Sequence, residues 1–156
     1  MRILCCGNRD RGDDAAGVLV AERLTDFGVP AETCTGEALD LIASWAEDAD
    51  VVVVDAVVTG APVGTVHRWN ALDAKFPSNL SVSSHGFGLS EAIDLARTLN
   101  RLPPRLEIWG IEAQHFELGT NLSPRVREAA YKVAADIASE WAIPRDRRFP
   151  FAPAKM

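Results

Sequence analysis

Two hydrophobic rhythms alternate along the chain: a short continuous apolar run, then a stretch whose apolar residues return every third or fourth position. The first suits strands covered on both faces, the second helices with one buried stripe. Arg2 to Cys6 is an apolar run that breaks at Gly7. Asp13 or Asp14 then caps a helix whose Ala16, Val20, Leu24 and Phe27 share a face, with Gly28 as its stop. Glu32 to Thr35 predicts a second strand, and after Gly36 a helix is expected to turn Leu39, Ile42, Ala43 and Ala46 inward. Asp50 opens the uninterrupted β-branched run Val51-Val52-Val53-Val54-Asp55-Ala56-Val57-Val58, the expected central strand. Thr65 to Trp69 follows Gly60, Pro62 and Gly64 and predicts an edge or antiparallel strand.

The stretch from Ala71 to Ser84 is polar, carries Pro77 and lacks a period, which predicts a long connection of the kind that often carries function. Beyond His85-Gly86-Phe87-Gly88, the residues Leu89, Ala92, Ile93, Ala96 and Leu99 mark a third helix that Pro103-Pro104 must end. Leu106 to Ile111 is the last expected strand. Ser123-Pro124 opens a final helix with Val126, Ala130, Val133, Ile137 and Trp141 in its stripe. The alternation predicts an α/β fold, a three-layer sandwich in which a twisted, mostly parallel sheet of about five strands carries helices on both faces. One domain is expected over residues 1–142, followed by a Pro- and Arg-rich tail over 143–156.

Composition narrows the partners. A net charge of −6 and a pI near 5.0 argue against a phosphate-binding surface, which needs clustered Lys and Arg, so nucleic acid is not an expected partner. Met1-Arg2 leads straight into a strand with no apolar signal core, and no run approaches the roughly 18 residues of a membrane span. A soluble cytoplasmic protein is the expectation. The three cysteines, two of them adjacent, make no disulfide framework, and free thiols are expected.

Ligands of open α/β sheets bind beyond the carboxyl ends of the strands. Asp14 follows the first strand, Asp55 ends the valine run, and His85 closes the long connection before a helix, so the three can meet in one crevice. Two carboxylates and an imidazole form a metal-binding set with positions left open for substrate or water. Asp55 argues for function most strongly, because a carboxylate after four valines is costly to desolvate without a partner. Asp14 divides evenly between ligand and helix N-terminal acid, and Asp13 reads as the latter. His67, in an edge strand, and His115, in an exposed loop, read as structural. Cys5 and Cys6 read as buried apolar residues rather than nucleophiles, and Ser83 and Ser84 gain no catalytic standing from lying next to His85.

The ordered set Gly7-Asn8, Gly12-Asp13-Asp14 and Gly17, then Val54-Asp55-Ala56, then Ser83-Ser84-His85 with Gly88-Leu89, then Gly110-Ile111-Glu112 with Gly119 and Leu122-Ser123-Pro124 resembles the [NiFe]-hydrogenase maturation endopeptidase family over about residues 1–142. That resemblance implies an α/β sandwich that removes the C-terminal extension of the hydrogenase large-subunit precursor after nickel insertion. It also implies that Asp14, Asp55 and His85 meet the nickel carried by the precursor, with no organic cofactor. The chain departs from the family pattern at Cys5, where glycine is common, at Asp10, where an apolar residue is usual, and at Ala15, where many members have glycine. Two other classes use similar features. A non-catalytic metal sensor or chaperone needs the same three ligands. A Rossmann-like nucleotide-binding module shares the strand, turn and helix, although the first loop lacks G-x-G-x-x-G and sets acids where a pyrophosphate needs amides.

Overall fold

The computed structural model describes residues 1–45, 50–73, 75–77 and 88–143. Five strands form one sheet: β1 (Arg2–Cys6), β2 (Glu32–Cys34), β3 (Asp50–Val57), β4 (Val66–Asn70) and β5 (Arg105–Glu112), in the order β2-β1-β3-β5-β4. All neighbours are parallel except β4, which runs antiparallel to β5 at the edge. The valine run therefore lies in the middle of the sheet, paired on both sides, and every residue of β3 is buried. A strand that satisfies its backbone on two neighbours and its side chains on two helical layers has no polar face to display.

Helices α1 (Ala16–Asp26) and α4 (Pro124–Trp141) cover one face, where Ile3, Cys5, Val52, Val54, Trp109 and Ile111 point. Helices α2 (Ala38–Trp45) and α3 (Leu89–Thr98) cover the other, where Leu4, Val51, Val53, Leu106 and Ile108 point. The three-layer α/β sandwich expected from the alternation is thus the observed architecture. Helix α4 buries Val126, Ala130, Val133 and Ile137 as the stripe predicts, with Pro124 at its first position. Helix α3 starts at Gly88, whose backbone N–H donates to the Glu91 carboxylate at 3.0 Å.

Several local expectations are corrected. Helix α2 turns Ala38, Leu41, Ile42 and Trp45 inward, while Leu39 is 70% exposed and Ala43 is also at the surface. The indole of Trp45 fixes that rotation by donating to the Arg101 carbonyl at 3.1 Å, and Ala46 lies outside the described residues. Phe27 and Leu99, placed on buried stripes, cap the exposed ends of α1 and α3 instead. Neither Asp13 nor Asp14 caps α1: both lie in a 3-10 turn, Gly12–Ala15, that precedes it. Finally, Cys6 and Cys34 form a disulfide, contrary to the expected free thiols. The parallel register sets Cys6 against Cys34 with Cα atoms 4.6 Å apart, inside the range a disulfide spans. Cys5 faces the opposite layer, alone and buried, and burial pushes its thiol up to about 12.

A bracket of charges ties the antiparallel edge to α4. The Arg68 guanidinium pairs with buried Glu107 on β5 and grips Glu140 of α4 through two nitrogens at 2.6 and 2.7 Å, while stacking on Trp109 at 4.5 Å. Such planar, two-pronged pairing is the geometry for which Arg is suited.

Candidate active site

From β1 the chain steps outward to β2 on one side, and β3 adds on the other, so the strand order reverses between β1 and β3. That reversal opens a crevice beyond the carboxyl ends of the two strands, the usual ligand position in such sheets. Asp14, on the turn that follows β1, and Asp55, near the end of β3, both lie there and are each 3% exposed. The Asn8 backbone N–H donates to Asp14 Oδ2 at 3.0 Å, and the Ala56 N–H donates to Asp55 Oδ1 at 2.8 Å.

Two close backbone approaches shape this corner. Gly7, at φ +150°, lies so near the Asp14 carbonyl that a Cβ has no space, and Gly17 sits equally tight against the Cys6 carbonyl. The exit of β1 and the first turn of α1 are therefore in direct backbone contact, which fixes the turn bearing Asp14 over the strand end. Burial, then the negative field of Asp14, push the Asp55 carboxyl well above the usual carboxylate range, against the pull of the Ala56 amide. Two acids that repel each other in a dry crevice hold free energy that a proton or a bound cation would release. The donor set present thus fits a metal-bearing ligand.

Asp13 points elsewhere and has a different task. Its Oδ2 accepts from the Gln114 N–H at 2.9 Å, the His115 N–H at 3.0 Å and the Ser123 hydroxyl at 2.9 Å, and its Oδ1 accepts from the Ser123 N–H at 2.7 Å. Burial raises its affinity for a proton, yet these donors together hold its carboxyl below the ordinary value. The Asp13 N–H in turn donates to the His115 carbonyl at 2.7 Å. Asp13 is therefore no helix-terminal acid but an anchor that ties the first turn to the segment between β5 and α4. His115 serves through its backbone, its side chain being exposed.

Most amides of the first loop are already engaged. Gly7 N donates to the Cys34 carbonyl, Asn8 N to Asp14, Asp10 N to Asn8 Oδ1, Asp13 N to His115 and Asp14 N to Arg11. A phosphate-binding loop requires the reverse, free N–H groups converging on an anion. The nucleotide-binding reading loses its structural basis here.

His85, together with Ser83 and Ser84, falls outside the described residues. Among the described residues no group of three His, Cys, Asp or Glu side chains is arranged to hold a metal ion. At the same end of the sheet, Glu112 is buried and accepts from the Thr59 N–H at 2.8 Å and the Thr59 hydroxyl at 2.5 Å, and its Oε1 lies 3.1 Å from His67 Nε2. His67 also stacks on Trp69 with centroids 4.7 Å apart. His67 lies in edge strand β4 as expected, and its buried carboxylate partner was not visible in the sequence, since the pairing depends on the antiparallel register of β4 on β5.

A family model described as hydrogenase maturation protease matches residues 35–140. The chain belongs to the hydrogenase maturation protease family. Solved relatives agree. The [NiFe] hydrogenase maturation protease HycI from Thermococcus kodakarensis is 27% identical with a TM-score of 0.65, covering 88% of this chain and 90% of its own. The hydrogenase maturating endopeptidase HybD from E. coli is 25% identical with a TM-score of 0.67, covering 91% and 94%. The endopeptidase HycI from E. coli, at 20% identity, shares the fold with a TM-score of 0.71 over 90% of each chain. No curated protein matches the chain. For this maturation protease the family match spans Asp55 and the stretch containing His85 and begins after the first loop that carries Asp14. No helix among the described residues is long and apolar enough to cross a membrane.

Proposed function

We propose that this maturation protease removes the C-terminal extension of the [NiFe]-hydrogenase large-subunit precursor in the cytoplasm once nickel has been inserted, and that Asp14, Asp55 and His85 meet the nickel carried by that precursor. The observation that supports this most is the buried acid pair at the switch point. Asp55 and Asp14 repel each other where water is excluded, and a precursor presenting a divalent ion offers the charge that relieves them. An empty precursor offers none, so recognition and proofreading become one event. Binding energy collected at the metal holds the scissile peptide in place, and orientation of this kind contributes to rate as strongly as chemistry does.

This chain's own groups have defined parts in that reading. Asp14 is held by the Asn8 amide and Asp55 by the Ala56 amide, so neither carboxylate must reorganise when the ion arrives. Asp55, the group with the raised proton affinity, gives up its proton as the ion arrives, and the cation takes the proton's place beside the Asp14 charge.

The deciding experiment incubates the protein with nickel-loaded and nickel-free precursor and reads the C-terminus by mass spectrometry. Trimming of the loaded form alone is expected, together with its loss in Asp14→Ala, Asp55→Ala and His85→Ala variants that stay folded. Equal trimming of both precursors, or normal rates in all three variants, overturns the proposal. Binding of the loaded precursor without any cleavage would instead favour a metal sensor or chaperone.

A further inference from the structure

The disulfide sits where it touches the acid-bearing loop. Cys6 is the last residue of β1, buried, and its side chain lies in the layer of α2 and α3. Cys34 ends β2, a three-residue edge strand, and is only partly buried. It lines a cavity of about 490 Å³ with Gly7, Asn8, Arg9, Thr33 and Thr35. Its carbonyl accepts the Gly7 N–H at 3.0 Å, and the next amide, Asn8 N–H, holds Asp14. Three successive residues thus connect the sulfur bridge to the Asp14 carboxylate: the bridge at Cys6, the amide of Gly7 on Cys34, and the amide of Asn8 on Asp14.

We propose that the Cys6–Cys34 pair is a redox-sensitive tie that sets the position of Asp14. With the bridge closed, the edge strand is bonded to β1 and the Cys34 carbonyl stays under Gly7. With it open, the two sulfurs are no longer bonded and must separate to non-bonded contact. Cys6 is enclosed by the core, so the movement falls on Cys34 and its short edge strand, which takes its carbonyl away from Gly7. The Asn8 amide then loosens from Asp14.

The chemistry balances with a dithiol reductant. One of its thiolates attacks the Sγ of Cys34, the partly buried residue of the pair that lines the cavity, and Cys6 leaves as the thiolate; the second reductant thiol attacks the mixed disulfide and releases Cys34. Two electrons and two protons end on the cysteine thiols, and the reductant departs as its own disulfide. Cys5 takes no part, being buried on the other face with its thiol pushed up to about 12.

The test poises the full-length protein with oxidised glutathione or with dithiothreitol, counts thiols by maleimide labelling after denaturation, and follows amide exchange at Gly7 and Asn8 by NMR. One labelled thiol in the oxidised protein and three in the reduced are expected, with exchange at both amides accelerating about tenfold or more on reduction. Cys34→Ser under oxidising conditions should reproduce the fast exchange and Cys5→Ser should leave it slow. Three free thiols after oxidation, or equal exchange in both states, overturns the tie. The effect on processing rests on the proteolytic reading above: reduced protein is expected to trim nickel-loaded precursor about tenfold more slowly. Equal rates in the two states refute control of Asp14, whereas no trimming in either state sinks the proteolytic reading and leaves the exchange data to decide the tie.

Discussion

Replacing Asp13 with Asn changes almost no volume and removes one charge, so its cost measures the anchor directly. The side-chain amide can place its oxygen where Oδ2 was, keeping the donors from Gln114, His115 and the Ser123 hydroxyl. Its NH2 group then faces the Ser123 N–H, donor against donor, where Oδ1 had accepted at 2.7 Å. One bond of about 1.5–3 kcal/mol is lost and the three others lose their charge assistance, which together give about 2–4 kcal/mol. Asp13→Ala leaves three part-buried amides without an acceptor and should cost more, about 3–5 kcal/mol, a large share of the total stability of an ordinary domain. Urea unfolding at pH 7 reads the difference as a lower midpoint at unchanged slope. The pH dependence gives a second check. The Asp13 carboxyl is held below its ordinary 3.8, so its stabilisation is complete above that value and fades as pH falls through the folded value. The gap between wild type and Asp13→Asn should therefore shrink in acid. A midpoint change worth less than about 0.5 kcal/mol at pH 7 would refute the anchor.

Three further outcomes are expected. Asp55→Asn should raise the melting temperature at pH 7: with its carboxyl held well above 3.8, the folded state keeps a proton the unfolded state has lost, so stability falls as pH rises from about 4 toward the folded value. The gain should vanish near pH 3, and a variant less stable than wild type at pH 7 by calorimetry contradicts the strained pair. Gly17→Ala drives a Cβ into the Cys6 carbonyl, and separating helix from strand should cost about 1–3 kcal/mol; an unchanged urea midpoint would mean the contact is not tight. Arg68→Ala strips buried Glu107 of its guanidinium, with an expected loss of about 3–5 kcal/mol that Arg68→Ala/Glu107→Gln should partly restore in a double-mutant cycle.

What could be read without the fold was whatever local chemistry determines alone. The buried run of β3, the helix start at Ser123-Pro124 and the stripe of α4 needed only their own residues, although the Ser123 hydroxyl that reads as a cap donates to Asp13 instead. The rotation of α2 did not follow, because Ala38-Leu39-Asp40-Leu41-Ile42 offers apolar residues on competing faces, and the choice falls to Trp45 and its distant partner Arg101. Asp13 and Asp14 are neighbours of one type with opposite surroundings, separated only by donors a hundred residues away. The cysteine pair was missed for the same reason: nothing in the chain states that β2 pairs with β1 in the register that faces Cys6 with Cys34. Asp55 was legible because four valines announce a burial that a carboxylate must justify.

The missing side chains of Gly7 and Gly17 divide the first loop into two parts with separate histories. Backbone contact at these glycines holds the turn carrying Asp14, and the contact draws on no side chain between them. Arg9 and Asp10 are left at the surface, with Arg9 reaching only to exposed Glu22. Mutation can therefore rewrite the loop's outward charge without moving the acid beneath it. Asp10, an exposed acid, therefore adds charge to the surface of the loop and not to the site beneath it.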